Sequence, residues 1–265
     1  MKLIKREKYL NELIGVIGTP DIKVITGIRR SGKSKLLEAF KKYIEENIKD
    51  YNIIHINYSL SKFDKLKECH KLYEYIDSNY KENMNNFVLI DEVQMCDGFE
   101  TAINWIHAEE KYDIYITGSN AFLLSSDLAT LFTGRTFPIE VYPFSFSEFM
   151  KYYGYDDADK VFDEYVIQGG MAGSYVYTEQ ADKYKYIEDV YNTLIVRDIK
   201  KKYNIRNEKV LNNLSNFLMD NVSNITSTLN ITKELNNKED NITDKTINKY
   251  IGYLCNAFAF YKIGR

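Results

Sequence analysis

Breakers and cross-links are both scarce in this chain. It has 265 residues with only three prolines and thirteen glycines. So few breakers exclude a loop-rich scaffold and favour many helices. The three cysteines, Cys69, Cys96 and Cys255, are far apart and form no CxxC pair. They exclude a disulfide framework, fit a reducing compartment, and read as small buried hydrophobes. His55, His70 and His107 each stand alone, so no metal-ligand cluster is visible. No apolar run approaches the roughly 18–20 residues of a membrane span. The opening MKLIKREKYL is charged and lacks the apolar centre of a signal peptide, so a cytoplasmic location with no membrane partner is expected. Net charge is −3, so no global basic field draws the chain to nucleic acid; any such contact needs a local patch.

What is present is apolar material, 45% of residues, with 23 Tyr and 14 Phe expected to supply much of a core. Short β-branched runs at 22–26, 51–58, 86–94 and 112–120 read as strands. Between them, 33–48, about 64–82 and 100–110 read as helices, after a short amphipathic helix over 6–18. RTFPIEVYPFSFSEF (135–149) starts as a strand and turns helical near Ser145. Strands alternating with helices imply a parallel α/β sheet covered on both faces. Beyond about residue 150 the strand signals vanish, and 157–168, 180–202 and 207–219 read as helices, with Gly169 and Gly170 as punctuation. The last stretch reads as a helix, an Asn-rich turn, a helix from Thr243, and a strand-like run at 258–263. That is the order of a helix-turn-helix with the first strand of a wing, stopping before its return strand. Three regions are expected: 1–150, an α/β core; 151–204, a helical lid or linker; and 205–265, a winged-helix-like unit cut at the wing.

One stretch carries chemistry. In KVITGIRRSGKSKLL an apolar strand ends at Gly27, four residues intervene, and Gly32, Lys33 and Ser34 open a helix. This is the P-loop spacing in the context that it requires. Phosphate binding needs backbone N–H donors, a fixed cation and a helix N-terminus. Residues 27–35 (Gly27, Ile28, Arg29, Arg30, Ser31, Gly32, Lys33, Ser34, Lys35) are the candidate nucleotide cradle. Gly27 lets the chain leave the strand, Gly32 lets the backbone approach phosphate, Lys33 supplies charge, and the Ser34 hydroxyl faces Mg2+. Arg29 and Arg30 are either phosphate contacts or exposed charges.

FVLIDEVQ supplies the second half of the site. Asp91 is expected to hold Mg2+ through water, and Glu92 to activate the attacking water as general base. The alternative for this pair is a helix N-cap; Gln94 is read as a local hydrogen-bonding group. At the tip of the next strand, Ser119 and Asn120 are either γ-phosphate sensors or N-caps. Arg135, after a glycine and before a strand, is either structural or an arginine finger acting on its own or a neighbour's nucleotide.

Together these residues resemble an AAA+ ATPase. More narrowly, the chain resembles a prokaryotic group that joins such a domain to a winged helix and a nuclease-like C-terminal domain of unknown function. REKYLNELI, VITGIRRSGKSKLL, FVLIDEVQ, the long stretch YITGSNAFLLSSDLATLFTGRTFPIEVYPFSFSEFM and INKYIGYLCNAF carry the likeness. The resemblance implies an α/β P-loop sheet of AAA+ type followed by a helical region and a partial winged helix, with the C-terminal domain missing. It also implies ATP as ligand, the roles given above for the matching residues, and Arg6 beside the adenine. QGGMAGSY departs from the group's pattern, with Ala172 where proline is usual. The expected function is a Mg2+-dependent ATPase driving a conformational switch. Its partner would be DNA, through Lys245, Asn248 and Lys249, or a protein, or further copies of itself. The alternative is a P-loop kinase for a small molecule or nucleotide.

Overall fold

The computed structural model describes residues 4–118, 132, 134–205, 207–236 and 242–264, without the side chains of 195–197. The chain divides into two bodies, Met1–Tyr184 and Lys185–Arg265.

The first body is built on a five-stranded parallel sheet of β1 (Ile22–Thr26), β2 (Tyr51–Asn57), β3 (Asn85–Asp91), β4 (Tyr112–Thr117) and β5 (Thr136–Glu140). The strand order is β2-β3-β4-β1-β5, with every pairing parallel. Parallel strands need crossovers, and helices lie on both faces. On one side α1 (Glu7–Gly15) and α2 (Lys33–Asn47) bring Leu13, Leu37, Phe40 and Ile44 onto Leu89 and Tyr115. On the other, α3 (Cys69–Ser78) and α4 (Phe99–Ala108) bring Leu72, Ile76, Ile103 and Ile106 onto Val88, Ile90 and Ile116. Consecutive residues of β3 serve opposite faces, as the two-residue strand period demands. Each fully buried aliphatic contributes roughly 1.5–3 kcal/mol. The helix expected over 64–82 is instead a 3-10 turn at Ser61–Leu66 and the shorter α3, because Glu68 between them forms a parallel bridge with Asp97.

Tyr9, Phe40, Tyr58, Phe63, Phe87, Phe99, Tyr115 and Phe132 join the aliphatics of these sheet cores. A denser aromatic cluster follows β5. Phe149 on α5 (Phe146–Tyr153) packs with Tyr153, Tyr155, Tyr165 and Tyr175 around α6 (Ala158–Gln168). Ser145 begins α5 with a reciprocal capping box to Glu148.

The second body has only helices as regular elements among its described residues. It takes up α7 (Gln180–Asn192) near its start, continues through a π-helical stretch (Thr193–Ile199) into α8 (Lys200–Tyr203), and adds α9 (Glu208–Asp220), α10 (Thr228–Asn236) and α11 (Asp244–Asn256). Leu211, Leu214, Ile231, Leu235, Ile247 and Leu254 are buried there. The strand expected at 258–263 is not formed. Ala257, Phe258 and Ala259 donate backbone bonds to Tyr253, Cys255 and Leu254, closing the end of α11 with Phe258 in the left-handed region. A lone strand with no partner has no ladder to stabilise it. No described helix is long and apolar enough to cross a membrane.

Candidate active site

In a parallel sheet all carboxyl ends lie on one side, and ligands bind in the crevice outside them. Here that side gathers the loop after β1, Asp91 at the end of β3 and Thr117 at the end of β4. The register explains the grouping: Ile90 is opposite Ile116, and Ile25 is opposite Thr117.

Gly27 leaves β1 at φ 133°, and a Cβ there would lie 2.1 Å from the Val141 carbonyl oxygen. Only glycine fits both the backbone angle and the close pass. The loop then turns through Arg30 at φ 66° to Gly32 at φ 96°, which starts α2. Gly32 offers no capping side chain and the first turn of α2 has no acid, so the positive end of the helix is left for an anion. The Lys33 ammonium is buried and donates to the carbonyls of Gly27 and Ile28, both at 2.9 Å. Ser31 Oγ is buried without a hydrogen-bond partner among the described residues. Arg29 is half-buried and Arg30 exposed. The Lys35 side chain faces outward, paired with Glu38 at 2.6 Å, so only its backbone N–H in the first turn of α2 is placed for the cradle.

Ser34 Oγ donates to Asp91 Oδ1 at 3.0 Å. The Thr117 hydroxyl donates to the same oxygen and accepts from the Glu92 backbone N–H at 3.2 Å. Burial pushes the Asp91 carboxyl up from its ordinary value. The bonds from Thr117 and Ser34 act downward without cancelling it, and Glu92 adds to the rise. Glu92 sits in the left-handed region at φ 57°, and its carboxylate accepts from the Gln94 amide. Thr117 was not singled out from the sequence. Its signal was present: a hydroxyl as the last residue of an apolar strand. Ser119 and Asn120, the residues named instead, lie outside the described residues.

Two candidates land elsewhere. Arg6 is buried, and its guanidinium is used up by the protein. It donates to Glu148 at 2.7 and 2.9 Å, to the carbonyls of Ser31 and Tyr142 at 2.8 and 2.9 Å, and to that of Pro143 at 3.4 Å. These acceptors match all five N–H donors of an arginine, leaving none for a nucleobase. Arg6 therefore ties the P-loop to α5. Arg135 is exposed and immediately precedes Thr136, which is opposite Ile22 at the start of β1. It lies at the amino end of the sheet, roughly 16 Å of strand from Gly27 at about 3.3 Å per residue.

The oxygen-rich cluster fits a hard divalent cation shared with phosphate and water. Ser34 and Asp91 supply two hard ligands, and Mg2+ takes few protein ligands when phosphates supply the rest. Among the described residues no group of three or more His, Cys, Asp or Glu could hold a metal by itself.

Residues 19–150 match the AAA domain family, and residues 159–265 match a domain of unknown function (DUF8612). An uncharacterized protein of Haemophilus influenzae is 34% identical over 98% of this chain and 66% of its own length. The uncharacterized protein MJ1544 of Methanocaldococcus jannaschii is 27% identical over 98% of this chain and 60% of its own. The chain thus spans less than two thirds of either relative. Among solved structures, AMPPCP-bound DnaA from Aquifex aeolicus aligns with 93% of this chain and 86% of its own, at 15% identity and a TM-score of 0.43. Residues 19–150 are thus similar in sequence to AAA domains.

Proposed function

We propose that this AAA-type domain binds ATP with Mg2+ and hydrolyses it to drive a conformational switch. The observation that supports this best is the meeting of Ser34 and Asp91 at 3.0 Å beside the uncapped start of α2. On this reading Lys33 leaves its two loop carbonyls for the β- and γ-phosphates. Mg2+ held by Ser34 and Asp91 would offset phosphate charge. Thr117 orients Asp91, Glu92 takes the proton of the attacking water, and Gln94 holds the Glu92 carboxylate. Because Thr117 touches both Asp91 and the Glu92 backbone, a change at the phosphates is felt at the end of β4, and that is where the switch begins. Arg135 lies too far away to serve its own site, so as a finger it acts on the nucleotide of a second copy, which makes the working form a homo-oligomer. The setting is the cytoplasm.

The deciding measurement is free-phosphate release by the wild type and by Glu92→Gln. Turnover should fall by about 10²–10⁴-fold, the usual share of a general base, while ATP affinity stays. Unchanged turnover would remove Glu92 from this role. Phosphate that appears only when a small-molecule acceptor is added would favour the kinase reading instead.

A second reading concerns the helical body. Lys245, Asn248 and Lys249 are exposed on α11, while Ile247 and Leu254 are buried. The Lys249 ammonium lies over the Tyr253 ring, which stacks on Tyr203. A basic face with aromatic rings suits nucleic acid. Duplex affinity that does not fall with salt would assign this face to a protein partner instead.

A further inference from the structure

Among the described residues the sheet ends at β2, and no described strand pairs with its outer edge. Tyr58 donates inward to Asp91 on β3, whereas the Asn57 carbonyl turns the other way to accept from Leu60. Strand alternation then turns the N–H and C=O of Ile53 and His55 away from β3. Among the described residues no backbone bond outside the ladder reaches them. A cleft of about 540 Å³ runs along Asn52–His55, between α2 and the 3-10 turn at Ser61–Leu66. Its charged walls are Lys41, Lys62 and Lys65, its apolar surface includes Phe63 and Leu66, and no Asp or Glu lines it. Lys62 lies over the Phe63 ring, while Lys65 is exposed. His55 titrates below its ordinary value, first through burial and then through Lys41, with Asp91 and Glu38 acting the other way; Lys41 also pairs with Glu45 at 3.7 Å.

We propose that the β2 edge is a docking groove for an extended acidic peptide segment, which adds to the sheet as a sixth strand. Its main chain pairs with Ile53 and His55, and its carboxylates meet Lys41, Lys62 and Lys65. Lysine on an edge strand is also a common guard against aggregation. Two features go beyond a guard: none of these three lysines lies on β2 itself, and they frame a cavity with apolar surface. In β-augmentation the ladder supplies affinity and the side-chain pockets supply choice. Phosphate-rich ligands would find charge here, but they cannot use alternating N–H and C=O groups. The site lies outside the P-loop cluster, so the inference does not rest on hydrolysis.

The test uses the full chain and an acetylated, amidated hexapeptide, Glu-Val-Glu-Val-Glu-Val. Controls are its lysine counterpart, a version N-methylated at alternate residues, and a single-stranded oligonucleotide. Affinity is measured by titration, and the Ile53 and His55 amides are followed by hydrogen exchange. The Glu peptide should bind at least tenfold tighter than the Lys peptide and slow exchange at both amides at least tenfold. N-methylation should abolish binding, and Lys62→Glu with Lys65→Glu should invert the preference. Three results would each overturn the proposal: no binding at millimolar peptide, binding that survives N-methylation, or lysine-dependent capture of the oligonucleotide without the peptide. ATP affinity, read in the same samples, reports separately on the P-loop site.

Discussion

The two ends of one sheet hold buried charge in different ways. At the amino end, Lys23 is fully buried and its ammonium reaches Asp113 and the Thr19 carbonyl, each at 2.6 Å. Gly18 donates a backbone N–H to the same carboxylate at 2.9 Å. Charge there is met by opposite charge. At the carboxyl end, Lys33 is held by loop carbonyls, and Asp91 by two hydroxyls that leave its ionised form disfavoured. A buried pair that completes itself serves the fold. Asp91, which accepts from two neutral hydroxyls, can exchange them for a cation at little cost.

Breaking the amino-end pair should have the largest effect. Asp113→Ala leaves Lys23 charged, buried and unpaired, and should cost about 3–5 kcal/mol in denaturant unfolding. A loss below about 1 kcal/mol would mean that water reaches Lys23. Next is Gly27→Ala, which sets a Cβ against Val141 at an unfavourable φ. It should cost about 3 kcal/mol, combining strain and overpacking, and its unfolding midpoint should drop even without nucleotide. At the carboxyl end, Lys33→Ala should weaken ATP binding by roughly 1.5–3 kcal/mol, the worth of hydrogen bonds to a charged group. Calorimetric titration that finds wild-type affinity would end the parallel drawn here.

The smallest effect is the sharpest in sign. Burial holds the Asp91 carboxyl above its ordinary value, so in that window the unfolded chain ionises first and the nucleotide-free fold loses stability as pH rises. Asp91→Asn should therefore raise the melting temperature without nucleotide at neutral pH. The gain should fade in acid, where wild-type Asp91 is protonated in both states. A variant less stable than wild type at neutral pH would show that Asp91 is not strained in the free protein.

Much of this was legible because it is local. The P-loop spacing, the strands that flank it and the acid closing FVLID follow from residue type and period over a few positions. Thr117 was passed over because its meaning comes from register: it lies opposite Ile25 and beside Asp91, and no local pattern distinguishes it from an ordinary strand threonine. Nothing in IKVIT shows what Lys23 pairs with until Asp113, 90 residues later, is placed against it. Arg6 and Glu148, 142 residues apart, are a stronger case. The run at 258–263 failed for the opposite reason: its local propensity favours a strand, but among the described residues no strand lies alongside to pair with it.

By itself, then, the sequence determined which segments become strands and helices in the sheet and where the candidate phosphate loop lies, because periodicity, glycine geometry and charge act between near neighbours. Tertiary structure alone decided which charges neutralise each other, that Arg6 is a clamp, that Arg135 faces the far end, and that no described strand pairs with the outer edge of β2. Those outcomes depend on strand order and register, which bring distant residues within hydrogen-bonding reach.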